Sequence, residues 1–223
     1  MLLTTAFMKS LSLFFFAAFF SVIFYCSCTR DHNLKNKTAK EDQPHSYPLS
    51  ETDLDKIQDG DIILRLGYGM ASHLIQKSLN EKYRVSHIGL VCKTDTGRIV
   101  IHSVSRSLSD YDGVQADKLV DFINSSRKNS LIISRYKRHT VDQKAKIRQH
   151  AFDLLAAKKP FDNRFNPQDK RELYCTELIR DLFYEAYEID LFSKHDDLYA
   201  HLKFYIWWDS TNFDIVLNHH VLD

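Results

Sequence analysis

The most apolar stretch of the chain runs from Leu11 to Tyr25, where only Ser12 and Ser21 interrupt a row of Leu, Phe, Ala, Val, Ile and Tyr. Lys9 precedes it and no acidic residue occurs before Asp31. A basic start followed by an apolar run shorter than the ~20 residues of a membrane-spanning helix is the pattern of an export signal. Residues 1–27 are therefore expected to be signal. Residues 28–52 are polar, carry Pro44 and Pro48, and lack both helical and alternating apolar periodicity, so they are expected to form a tether. Residues 53–223 then make up the folded domain.

Within that domain, Asp59-Gly60-Asp61 is a turn signal ahead of the short buried-type strand Ile62-Ile63-Leu64. Leu74, Ile75 and Leu79 predict a short helix over 70–79. Residues 86–92 and 98–104 read as two strands around a tight turn at 94–97, a candidate β-hairpin. Leu131-Ile132-Ile133 predicts another strand, and the spacing of Ile147, Ala151, Leu154 and Leu155 a helix over 143–157. The strongest period lies over 172–187, where Leu178, Ile179, Leu182, Phe183 and Ala186 recur at three and four. Residues 202–208 fit either a last strand or an aromatic cover. Helices and a meander without alternating βαβ units make the fold class α+β.

Composition narrows the function. The chain has 223 residues, with 30 Lys and Arg against 29 Asp and Glu, and no long run of one sign, so nucleic acid is not an expected partner. Removing Lys9 with the signal leaves an overall neutral domain. Of four cysteines, Cys26 and Cys28 fall in the signal region, which leaves Cys92 and Cys175 in a compartment where disulfides are allowed. Either these pair, or at least one is kept for chemistry.

Side-chain alternation puts His87, Gly89 and Val91 on one face of their strand and Ile88, Leu90 and Cys92 on the other, so Cys92 points away from His87. A hairpin loop with an even number of residues would set His102 opposite Gly89, on the face of His87 and one diagonal step away. An odd loop would turn it to the other face. Cys175 lies near the start of its helix, where free amides and the helix dipole favour a thiolate, and a neighbouring imidazolium would lower its pKa further. Cys175 is thus expected to be a free, activated thiol. His219-His220 lack a carboxylate or cysteine at metal-ligand spacing and read as a solvated tail. His73 reads as a surface residue, Glu177 as a structural hydrogen-bonding group, and Trp207-Trp208 as core or groove lining.

Gly60-Asp61-Ile62-Ile63, Ser86-His87-Ile88-Gly89-Leu90, Pro160-Phe161-Asp162 and Tyr174-Cys175-Thr176-Glu177-Leu178 occur in that order. Together they resemble the YaeF/YiiX family of permuted papain-like hydrolases related to NlpC/P60, over roughly residues 58–187. The resemblance implies a circularly permuted papain-like fold, an antiparallel sheet packed against a nucleophile-bearing helix. It implies Cys175 as nucleophile, His87 as general base and His102 at the imidazole-orienting position, where close relatives carry Glu. Ser86 and Tyr174, immediately before base and nucleophile, are expected to contact substrate. A second histidine is similar to the lecithin:retinol acyltransferase group, and Lys158-Lys159 replace a glycine found in relatives. Ser27-Cys28 resembles a bacterial lipobox, with Cys28 the lipidated residue.

The expectation that follows is an exported cysteine hydrolase that needs no cofactor or metal. It would cleave an amide in a cell-wall peptide or an N-acyl amino acid, from the cell envelope, held to the membrane by a lipid on Cys28. An acyltransferase or lipid-ester hydrolase and a non-catalytic binding lipoprotein are the alternatives. The sequence does not fix the oligomeric state.

Overall fold

The computed structural model describes residues 47–193 and 199–220, so the signal segment and Cys28 lie outside the described residues. In chain order the elements are α1 (Glu51–Lys56), β1 (Ile62–Arg65), α2 (Gly69–Leu79), β2 (His87–Thr94), β3 (Gly97–Val104), β4 (Gly113–Lys118), α3 (Leu119–Asn124), β5 (Ile132–Tyr136), α4 (Val141–Ala156), α5 (Cys175–Tyr187) and β6 (Phe213–Asn218). Two short 3-10 turns, Ala200–Leu202 and Tyr205–Trp208, lie between α5 and β6. All six strands form one antiparallel sheet in the order β4-β3-β2-β1-β5-β6.

Both faces of this sheet are covered, which is why β1 and β5 read as unbroken apolar runs rather than alternating ones. On one face Ile62, Leu64, Ile88, Leu90, Cys92 and Ile132 meet Leu178, Ile179, Leu182 and Phe183 of α5 and Ile147 and Ala151 of α4. The stripe predicted for α5 is thus its buried face, each large apolar side chain contributing about 1.5–3 kcal/mol of transfer free energy. On the other face Ile63, Val91, Val100 and Ile133 meet Phe122 and Ile123 of α3, with Ile57 and Tyr47. Trp207 belongs to the first of these clusters, so residues 205–208 are a core-filling turn, and the last strand is β6 instead.

Among the described residues, packed structure is present before residue 53. Ser50 caps α1 by accepting from the Asp53 amide, and Tyr47 is buried. Six residues are too few for a periodic signal, so α1 is invisible to pattern reading. The same holds for β4 and α3, which the sequence reading left unassigned.

Several motif residues have structural reasons. Asp61 is buried and takes both an Arg135 fork, at 2.7 and 2.9 Å, and the Gln58 amide. Asp162 is buried and accepts from the amides of Arg164 and Asn166, fixing the loop that leads to α5. Lys158 adopts φ 49°, the left-handed region that glycine enters without strain, in accord with the glycine of relatives.

Candidate active site

The hairpin loop between β2 and β3 has two residues, Asp95 and Thr96, because Thr94 pairs with Gly97. Continuing the register sets His102 opposite Gly89. A Cβ on Gly89 would strike the Val100 side chain and come within 3.2 Å of the His102 Cβ, so the glycine of the Ser-His-x-Gly element makes room for His102 on the face of His87. His87 Nε2 and His102 Nδ1 are 2.8 Å apart, with the rings almost perpendicular at 81°. Phe122 of α3 packs against both rings, at 5.7 and 5.2 Å between centroids.

One further residue completes this line. His102 Nε2 lies 3.0 Å from Oδ2 of Asp117, in β4. The side chain of His102 is 2% exposed and that of Asp117 43%. His102 holds the Asp117 carboxyl below its ordinary pKa, while burial pushes both histidines down, His87 well below 6.5. Both rings are therefore neutral at pH 7, and their tautomers follow. A carboxylate only accepts, so His102 carries its proton on Nε2 and presents a bare Nδ1. That Nδ1 must accept from His87 Nε2–H, which leaves His87 Nδ1 with its lone pair. Asp117 thus sets, through two rings, which nitrogen of His87 can take a proton.

Cys175 is the first residue of α5 and is half-buried. Leu173, two positions before it, is tied to the sheet by the Ser103 hydroxyl, which donates to the Leu173 carbonyl at 2.5 Å. The Thr176 hydroxyl donates to the His201 carbonyl at 2.8 Å. The amides of Cys175, Thr176 and Ile88 surround the sulfur, which brings it to the residue following His87. Burial nevertheless pushes the thiol up to about 12, against the opposing pull of those amides. This corrects the expected resting thiolate: desolvation outweighs the helix terminus, and the pair rests as neutral thiol and neutral imidazole.

Cys92 and Cys175 are both free, and Cys92 is fully buried in the α5-side core, away from the histidines. Ser86 and Tyr174 do not fit the expected substrate contact. Ser86 is 4% exposed and its hydroxyl accepts from the Gly67 amide at 3.1 Å; Tyr174 is 1% exposed and packs beneath Phe165. Both are supports for the chain on either side. Glu177 is buried and accepts weakly from the Tyr174 amide at 3.4 Å, and burial raises its carboxyl to about 8. His219 is no solvated tail: its Nδ1 meets the Tyr47 hydroxyl at 3.1 Å and its ring stacks on Tyr47. His73 is exposed. Among the described residues no three His, Cys, Asp or Glu side chains are grouped as a metal site.

The sequence reading missed Asp117 and Arg65. Arg65 pairs directly with His87 across β1 and β2, and its guanidinium lies 4.5 Å above the Phe122 ring. A signal for Asp117 existed in the alternation Val114-Gln115-Ala116-Asp117, but it is too short to stand out without the register that aligns His102 with Gln115.

An α+β fold with one six-stranded antiparallel sheet and a histidine strand that precedes the cysteine helix in the chain has the layout of a permuted papain-like protein. The chain belongs to the C92 family of permuted papain-like amidase enzymes, YaeF/YiiX, whose model matches residues 56–199. The crystal structure of YiiX from Escherichia coli O157:H7, described as a metalloprotein, is similar at a TM-score of 0.51 and 24% identity, over 61% of this chain and 69% of that one. No curated protein matches.

Proposed function

We propose that the protein is an exported cysteine amidase in which Cys175 is the nucleophile, His87 the general acid and base, and His102 with Asp117 the positioning relay. The observation that carries this reading is the line Asp117–His102–His87, which leaves His87 Nδ1 as its free proton acceptor while the Cys175 sulfur lies at the neighbouring Ile88 amide.

The reaction follows from that arrangement. Cys175 Sγ attacks the amide carbonyl as its proton passes to His87 Nδ1, so thiolate and imidazolium form with the substrate rather than before it. The imidazolium is held by His102, whose own Nε2 proton leans on Asp117. Amides at the start of α5 have no partner within the helix and are the donors available to the oxyanion, each worth about 3–4 kcal/mol in comparable sites. His87 then protonates the leaving amine, and an acyl-thioester remains. Water, deprotonated by His87, releases the acid and restores the thiol.

The substrate classes this reading carries are a cell-wall peptide and an N-acyl amino acid. The acyl-transfer alternative rests on the second histidine and the membrane anchor; a carboxylate behind that histidine, as in a Cys–His–carboxylate hydrolase, favours the amidase reading. Export and lipidation at Cys28 rest on the apolar run Leu11–Tyr25 and on Ser27-Cys28.

The test is covalent labelling and turnover together. A chloroacetamide probe should modify Cys175 alone in the folded protein, with Cys92 protected by burial. Cys175→Ala and His87→Ala should each abolish amide hydrolysis, and the double variant should be no worse than either, because a base without a nucleophile has nothing to activate. Full turnover in folded Cys175→Ala would end the proposal. Loss of fatty-acid incorporation in Cys28→Ala checks the anchor.

A further inference from the structure

Behind the nucleophile helix lies a cavity of about 300 Å³ that the mechanism does not use. Glu177, Arg180, Asp181 and Tyr184 of α5 line it, with Pro167 and Leu173 as its apolar wall. At about 100° per residue these α5 positions occupy the side of the helix turned away from Cys175, which shares its side with Leu178 and Leu182. A ligand here leaves the sulfur uncovered.

The cations of the lining are already matched. Arg180 forks onto Asp190 at 3.0 and 2.6 Å, and Lys170 lies 3.5 Å from Asp181, which His150 also meets at 2.9 Å. Glu177 is different. It is 4% exposed, and its Oε2 accepts from the Tyr174 amide at 3.4 Å, beyond the usual range of a hydrogen bond. Among the described residues no cation forms an ion pair with it; Asp162 and Asp181 oppose a charge on it, and Arg180 pulls the other way from its pair with Asp190. A buried carboxyl at the wall of a cavity, in a field with two carboxylates to one guanidinium, lacks a cationic donor.

We propose that this cavity binds a primary alkylammonium ion, its nitrogen on Glu177 and its stem against Leu173 and Pro167, at a site separate from the catalytic groove. One such charge completes the lining, and 300 Å³ is the lower end for a small-ligand site, which suits an amine rather than a peptide. Burial raises the Glu177 carboxyl to about 8, so at pH 7 the resting group holds a proton. Binding transfers that proton to the buffer: the carboxylic acid loses H+, and the carboxylate takes the three-donor ammonium in its place. The ionised carboxylate then accepts more strongly from the Tyr174 amide, immediately before the nucleophile.

The experiment is calorimetry on the protein with n-pentylamine and n-pentanol, each in phosphate and in Tris. Pentylamine should bind at least about tenfold tighter than pentanol, as a charge-assisted hydrogen bond requires. The two buffers should together show about 0.9 proton released per amine at pH 7 and about 0.1 at pH 9. Glu177→Gln should lose at least about tenfold in amine affinity, and all of the proton release. Chloroacetamide labelling of Cys175 should be unchanged by saturating pentylamine. No amine binding, pentanol binding equally well, unchanged affinity in Glu177→Gln, binding without proton release at pH 7, or protection of Cys175 from the probe each overturns the proposal. If Glu177→Gln does not fold, the pentanol comparison and the proton count on the unaltered protein decide it. The calorimetry needs no turnover, so its outcome is separate from that of the amidase reading.

Discussion

Replacing Asp117 by Asn tests the relay at its far end. The side chain stays the same size and its amide oxygen still accepts from His102 Nε2, so the tautomers are retained and only the charge is lost. Adding the 5.0 Å between the two ring centroids to the 3.0 Å from His102 Nε2 to the carboxylate, and the reach of the ring, puts that charge roughly 9 Å from the His87 imidazolium, worth roughly 2 kcal/mol at an effective dielectric of 20. Asp117 is 43% exposed, so solvent screening cuts this to about 1 kcal/mol. Weakening a charged hydrogen bond to a neutral one adds about 1 kcal/mol. The sum, about 2 kcal/mol, predicts a fall in kcat of roughly 30-fold. KM should not move, because the imidazolium exists only along the reaction path. Steady-state kinetics on the folded variant is the assay. A loss under about threefold, or a rise in KM at constant kcat, would refute the charge of Asp117 as a support for the imidazolium.

The remaining predictions concern buried titrating groups. His220 is held neutral by burial down to about pH 4, whereas unfolded histidine takes a proton near 6.5, so the unfolded state binds more protons in that window and stability falls as the pH drops through it. His220→Gln should recover about 1 kcal/mol at pH 5, solvent screening of this partly exposed ring cutting the full linkage value by about half, and nothing above pH 7 in urea unfolding. Glu177 has the opposite sign: its folded carboxyl titrates near 8 and its unfolded one near 4.5, so the folded state holds the extra proton and wild type loses stability as pH rises from 4.5 to 8. Glu177→Gln, which still accepts from the Tyr174 amide, should gain on wild type over that range, by about 3 kcal/mol at pH 7, and a gap that stays flat with pH would reject the assignment.

Much of the fold was legible because it is written in local periodicity. The α5 stripe, the β2–β3 hairpin and the apolar runs of β1 and β5 each repeat over enough residues to stand above chance. The two-residue turn then fixed the parity that brings His102 to the face of His87. Short elements escaped: α1, β4 and α3 have six residues each, and their identity comes from what they pack against. Residues 205–208 were ambiguous for the same reason, since an aromatic cluster fills a core equally well as a strand or a turn.

The sequence alone therefore supplied the candidate nucleophile Cys175, the candidate base His87, their order in the chain and, through the four ordered motifs, the family they resemble. Only the tertiary structure decided how these groups are charged. Asp117 reaches His102 through the pairing of β3 with β4, and Arg65 reaches His87 through that of β1 with β2, neither visible in a linear pattern. The helix start predicted an ionised Cys175, whereas burial between α5 and β2 keeps it protonated. Desolvation is a property of everything that surrounds a group, and it is set when the sheet and the helix close on one another.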